Sequence, residues 1–101
     1  MKPIIDMKIG ITGSNGFIGS ALTKHLSINR SFTIFPFDKT KHSLSSIDSL
    51  KDFVENKDII IHLAGIITAE NISDFYQINT LGTLNLLEAI SRYAKKSVHF
   101  I

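Results

Sequence analysis

An α/β fold built on a small parallel sheet is predicted by three observations. Short apolar runs alternate with longer amphipathic stretches along the chain, in the order β-α-β-α-β-α-β. The first run ends in a glycine-rich turn, "TGSNGFIG", that opens directly into a helical pattern. The run "DIIIHLAG" is almost wholly apolar, as a strand covered on both faces must be. Such alternation gives parallel strands joined by right-handed helical crossovers.

The elements follow in order. Residues 7–12, "MKIGIT", are short, β-branched and apolar, and end at a glycine turn, which suits a buried strand. Residues 16–27 place Phe17, Ala21, Leu22, His25 and Leu26 near a helical repeat. Residues 31–38 read as a second strand, and Pro36 puts its end at an edge or outside the ladder. A polar loop covers 39–46. Ser46 can cap a helix over 47–56, with Asp48 in the first turn and Ile47, Leu50 and Val54 on one face. Residues 58–65 form the third strand, and "IITAENI" is a loop. Ser73 can cap a long helix, about 74–95, in which Phe75, Ile78, Leu81, Leu86, Ile90 and Tyr93 recur at helical steps. Residues 97–101 begin a last strand. In a doubly wound sheet the first two strands lie side by side, and the third and fourth fall on the other side of the first. The expectation is a truncated Rossmann-like, doubly wound parallel sheet of about four strands with helices on both faces. Its ligand crevice lies where the strand order reverses.

Length and composition bound the function. A chain of 101 residues is one domain at most, so residues 1–101 are read as a single unit. No apolar run approaches the ~18–20 residues that span a bilayer. The start, "MKPIIDMKIG", lacks the parts of a signal peptide, so the cytoplasm is the default location and no membrane partner is expected. The absence of cysteine removes disulfides, thiolate metal sites and cysteine nucleophiles together. Basic residues are scattered, with no stripe interleaved with aromatics, which argues against nucleic acid. His62 and His99 could be neighbours on adjacent strands. No acidic partner at ligand spacing accompanies them, so a packed or hydrogen-bonded histidine is expected and no metal site is assigned. The glycine loop lacks the Gly-Lys-Ser/Thr ending of a nucleotide triphosphatase, and no Gly-x-Ser-x-Gly elbow is present.

The glycine loop carries the chemistry. A helix N-terminus offers unpaired N–H groups and the positive end of a dipole to a phosphate. Gly13 permits the tight turn off the strand, Gly16 lets a pyrophosphate approach the backbone, and Gly19 lets the helix lie close on the sheet. Ser14 and Asn15 tolerate turn geometry and add polar contacts. The bland alternative is an ordinary strand-to-helix turn. Against it, Asp38 ends the next strand about 20 residues after Gly19, where a carboxylate can accept from ribose hydroxyls. Its own bland alternative is a solvated turn residue. Asp38 would repel a 2′-phosphate, which favours NAD over NADP, although Lys39 and Lys41 weaken the preference. Ala64 and Gly65 are small residues at the carboxyl end of a central strand, where a ligand can come close. Gly82 costs about 1 kcal/mol of helix propensity against Ala, which suggests a packing role.

"TGSNGFIGSAL", "DIIIHLAG" and "FYQINTLGTLNLLEA" together resemble the extended short-chain dehydrogenase/reductase superfamily. Within it they are similar to the NAD-dependent epimerase/dehydratase family of nucleotide-sugar enzymes. The motifs come in the family's order and cover nearly the whole chain from Met7, and the first six residues look like an extension. The resemblance implies that Leu63, Ala64 and Gly65 pass the cofactor. It also implies that backbone groups of Phe17 and Ile18 meet the pyrophosphate and that Asn79 borders the nicotinamide side. A mid-helix Asn simply facing water is the alternative for Asn79. The implied cofactor-binding set is Gly13, Asn15, Gly16, Phe17, Ile18, Gly19, Asp38, Leu63, Ala64, Gly65 and Asn79, with no catalytic residue.

Two departures qualify the resemblance. The strand that usually follows the second, closed by an acidic motif beside the adenine, is missing or vestigial between Asp38 and Asp58. This shortened form is similar to reductases and epimerases of capsular and surface polysaccharide synthesis, and Ser43 and Leu44 are candidates to line the adenine pocket. The family's Tyr-x-x-x-Lys pair is also not found: Thr80 stands four residues after Tyr76, and Ser97 four after Tyr93. The expectation is therefore the cofactor-binding part of an oxidoreductase or isomerase acting on a nucleotide sugar by hydride transfer, inactive alone. The catalytic half and the substrate domain are read as absent. A stand-alone module that binds or senses NAD(H) is the alternative from another class, and a decayed fragment is a third. An exposed sheet edge is expected to promote self-association.

Overall fold

The computed structural model describes residues 6–65 and 72–101, with the backbone alone for residues 72 and 74–77. The elements are β1 (Met7–Thr12), α1 (Phe17–Leu26), β2 (Phe32–Pro36), a 3-10 turn at Asp48–Leu50 that runs into α2 (Lys51–Val54), β3 (Ile59–His62), α3 (Ile72–Tyr93) and β4 (His99–Phe100). All strand pairs are parallel and the order is β2-β1-β3-β4. The order reverses at β1, so this is the doubly wound, Rossmann-like arrangement the alternation predicts.

Register assigns each strand residue to a face, because side chains alternate along a strand. Gly10 lies opposite Ile60, and Thr12 opposite His62. These four share the face covered by α2 and α3. Phe53 of α2 closes over Gly10, where a Cβ would come within 3.1 Å of its ring. Ile60 joins Leu50, Phe53, Val54, Leu86 and Ala89 in the main core. Ile9 and Ile11 point the other way and are also buried, on the side where α1 meets β1 and β2. Each fully buried aliphatic side chain of this kind contributes about 1.5–3 kcal/mol relative to exposure.

The boundaries depart from expectation where local hydrogen bonds compete. α2 is shorter than 47–56, and Ser46 makes no side-chain cap. Its carbonyl instead accepts from the N–H (3.2 Å) and hydroxyl (2.8 Å) of Ser49, while the Ser43 and Ser45 hydroxyls bond each other at 2.7 Å. Serines offer the backbone such alternatives to helix bonds, and here they hold the chain in turns. α3 begins at Ile72, so Ser73 lies inside the helix rather than at its cap. The loop 66–71 and the Phe75 side chain lie outside the described residues. Of the remaining periodic positions, Leu86 is buried and Ile90 and Tyr93 pack against the core. Ile78 and Leu81, expected on the same apolar face, are 54% and 47% exposed. β3 stops at His62, which releases Leu63, Ala64 and Gly65 from regular pairing. His99 sits opposite Ile59, not His62, so the two histidines are not neighbours.

Candidate functional site

The carboxyl ends of β1 and β3 open into a cleft of about 670 Å³. It lies at the order reversal, where open α/β sheets hold their ligands, and its size is that of an ordinary small-molecule site. One wall is the turn Gly13–Gly16. Another is Leu63, Ala64 and Gly65 as they leave β3, faced by Ile78, Asn79 and Gly82 of α3. Phe37, Lys39, His42, Ser43 and Leu44 close the far end.

The glycine turn is shaped by close backbone approach. Gly13 has φ +69, the left-handed region, and a Cβ there would sit 2.8 Å from both the Ala64 nitrogen and the Leu63 carbonyl carbon. The Gly16 N–H donates to the Gly13 carbonyl at 3.0 Å and closes the turn. A Cβ on Gly19 would run into that same carbonyl, so the helix can lie this near the loop only with glycine there. α1 starts at Phe17 with no side-chain cap and no acidic residue in its first turn. The first N–H groups of a helix have no partner within it, so the positive end of α1 is open to an anion.

Behind the turn, a chain of hydrogen bonds crosses from β1 to α3. Thr12 Oγ1 lies 2.7 Å from His62 Nδ1, and His62 Nε2 lies 3.0 Å from Thr83 Oγ1. The Leu63 and Ala64 N–H groups both donate to Thr12 Oγ1 at 3.0 Å. Burial lowers the His62 pKa below its ordinary 6.5. On the opposite wall Asn79 lies over Gly65, whose Cβ would stand 3.1 Å from Asn79 Oδ1. Asn79 therefore faces the cleft, not open water. Leu44 is docked on α3 by Gly82, within 3.5 Å of a Cβ there, and by the Asn85 amide donating to the Leu44 carbonyl at 2.8 Å.

Asp38 is placed differently. Its Oδ1 accepts from the Thr40 hydroxyl at 2.6 Å and from the Thr40 N–H at 2.9 Å, and these bonds hold its carboxyl below the ordinary value. It lines a separate, smaller cleft with Lys41, His42, Asp52 and Lys57. His42 divides the two spaces: its Nδ1 accepts the Asp38 N–H at 3.1 Å, and its ring packs 5.5 Å from Phe53.

Of the residues expected to bind cofactor, Gly13, Asn15, Gly16, Leu63, Ala64, Gly65 and Asn79 come together around the main cleft. Gly19 is buried behind it. Phe17 and Ile18 are not on its wall, and their side chains are 93% and 66% exposed. Ser43 and Leu44 do line it, as the missing strand suggests. Thr12, His62 and Thr83 escaped sequence reasoning as site residues. The one available signal was a threonine and a histidine at matching ends of two adjacent strands. No group of three or more His, Asp or Glu converges as a metal site among the described residues.

Comparison with known proteins agrees with this geometry. The NAD dependent epimerase/dehydratase family matches residues 9–101. The UDP-2-acetamido-2,6-beta-L-arabino-hexul-4-ose reductase of Pseudomonas aeruginosa is 34% identical over 83% of this chain and 22% of its own length. The structure of RMD from Pseudomonas aeruginosa complexed with NADPH superposes with a TM-score of 0.75 at 29% identity, over 98% of this chain and 35% of that one. The dTDP-4-dehydrorhamnose reductase from Bacillus anthracis in complex with NADP gives a TM-score of 0.76 at 28% identity, over 96% and 36%. The chain thus spans well under half the length of each of these relatives. With a match over nearly all of its residues, the chain belongs to the NAD dependent epimerase/dehydratase family.

Proposed function

We infer that this chain is the nicotinamide-dinucleotide-binding portion of an oxidoreductase-type enzyme that modifies a nucleotide sugar. The observation that carries the reading is the single cleft bounded by the Gly13–Gly16 turn, the Leu63–Gly65 segment and Asn79. A dinucleotide fits these residues: glycines leave the backbone open, the α1 N-terminus is uncapped, and small residues leave the end of β3. The bound group would supply a hydride acceptor or donor. The chain's own part is to bind and orient it, with the pyrophosphate against the turn and the α1 N-terminus, including the Phe17 and Ile18 N–H groups. The names of the relatives, reductases acting on nucleotide sugars, support the substrate class.

On the choice of dinucleotide, the geometry supports NADP over the NAD preference that Asp38 suggests. The Asp38 carboxylate is engaged by Thr40 and lies off the cleft wall, whereas Lys39 is on it. Two structural neighbours above 25% identity were solved with NADPH or NADP. A stand-alone dinucleotide-binding module is the second reading. It is supported by the same cleft, whose glycine turn and β3 end suit the binding of a dinucleotide with or without catalysis.

Calorimetry with NAD+ and NADP+ tests the common core of both readings, and binding of neither would sink them together. An assay for reduced cofactor with sugar nucleotides separates them from a complete enzyme. Turnover above background would show that this chain alone carries catalytic groups.

A further inference from the structure

We propose that His62 is a positioning residue whose ring clamps the Leu63–Ala64 backbone to the end of β1 and so holds one wall of the cleft in place. Its functional consequence rests on the dinucleotide reading above; its geometry does not.

The hydrogens assign one by one. Thr83 Oγ1 has a single hydrogen and donates it to the Asn79 carbonyl at 2.9 Å. Toward His62 Nε2 it is therefore an acceptor, so Nε2 carries the ring proton. A neutral imidazole protonated at Nε2 leaves a lone pair on Nδ1. That lone pair accepts the Thr12 hydroxyl at 2.7 Å. Both lone pairs of Thr12 Oγ1 remain, and the Leu63 and Ala64 N–H groups fill them. Every donor meets an acceptor. The groups facing the ring are Thr12 from β1, Thr83 from α3 and Phe100 from β4, with ring centroids 6.0 Å apart, and none of them is charged.

Protonation breaks the balance. A hydrogen on Nδ1 would face Thr12 Oγ1, so three donors would compete for two lone pairs. The Thr12 hydrogen would lose its acceptor on the ring, and the bonds from Leu63 and Ala64 would weaken. The clamp is thus intact above pH 6.5, the ordinary histidine value, and is released as pH falls through the lowered value in the fold.

The test combines NMR of the unliganded protein with NAD+ titration, since the NAD+ phosphates keep their charge across the range used. Nitrogen shifts of His62 should show the Nε2–H tautomer near neutral pH. Exchange protection of the Ala64 amide should fall as His62 titrates, and that of Leu63 less, since its N–H also donates to the Thr12 carbonyl at 3.3 Å. An Nδ1–H tautomer, or Ala64 protection indifferent to that titration, would overturn the proposal. NAD+ affinity should drop about five- to tenfold on acidification, the worth of roughly one hydrogen bond. His62→Asn keeps an acceptor facing Thr12 and does not titrate, so its NAD+ affinity, lower than wild type near neutral pH for want of the Thr83 bond, should show a flat pH profile. An unchanged profile in His62→Asn would also overturn the proposal. If the NMR behaves as expected and neither NAD+ nor NADP+ binds at any pH, the clamp stands and the dinucleotide reading falls.

Discussion

Two constraints coincide at Gly13: a left-handed backbone and a neighbouring strand end that leaves no room for a Cβ. Gly13→Ala should lower stability by about 2–4 kcal/mol, combining backbone strain with overpacking, as read from urea denaturation. Gly16 meets only the Gly13 carbonyl at 3.3 Å, so Gly16→Ala should cost much less. A full-sized loss at Gly16 and none at Gly13 would contradict this account of the turn. Lys39 and Asp38 make the opposite contrast. Lys39→Ala should weaken NADP+ binding about fivefold and leave NAD+ unchanged, as for a partly solvated charged hydrogen bond. Asp38→Ala should change either affinity little, because the residue lines the smaller cleft and not the main one. A large loss of NAD+ affinity in Asp38→Ala would restore the ribose role that its position in the sequence suggests.

Elements are joined here by a few buried or bridging side chains. Asp58, just before β3, accepts the Lys8 N–H of β1 at 2.8 Å and pairs with Lys96, ahead of β4, at 2.7 Å. The Lys8 hydrogen bond and then Lys96 hold its carboxyl below the ordinary 3.8. A carboxylate lowered in the folded state contributes stability in full above its unfolded value. That contribution is lost as pH falls below 3.8 through the lowered folded value. Thermal melts in acid should therefore show a shallower decline in Asp58→Asn than in the wild type. Equal slopes would mean that Asp58 does not link the three strands energetically. At the junction of α2 and the sheet, Phe53 packs on Gly10 and edge-on to Phe37, with ring centroids 5.4 Å apart. Gly10→Val should be destabilising by about 1–3 kcal/mol, since the ring has to move.

For the molecule as a whole, Leu81, Leu84 and Leu87 of α3 are exposed apolar side chains. Apolar helix surface of this kind favours association with a second copy. Light scattering should find dimers or larger species, and a monomer at high protein concentration would count against this expectation.

The fold was legible because its evidence is periodic. Alternating apolar runs and amphipathic stretches admit few topologies, and the turn after β1 announced where the sheet reverses. The roles of Gly13 and Gly19 were equally legible, since glycine type and spacing map directly onto backbone geometry. Side-chain direction was not. Asp38 had the right place in the sequence, yet one of its carboxylate oxygens accepts from a threonine two residues on and the residue lines the smaller cleft, a local arrangement that spacing does not reveal. Ile78 and Leu81 followed the helical period but are not core: Ile78 lines the cleft and Leu81 is exposed, because periodicity marks a stripe without saying what will cover it. The Thr12–His62–Thr83 chain was hidden for a further reason. Its members lie far apart in the sequence, and only the parallel register of β1 and β3 with α3 packed above brings their polar atoms within bonding distance. The sequence alone determined the fold and the glycine turn after β1, through local backbone chemistry. The tertiary structure decided which polar side chains face the cleft, because hydrogen bonds between distant residues form only once the sheet is paired.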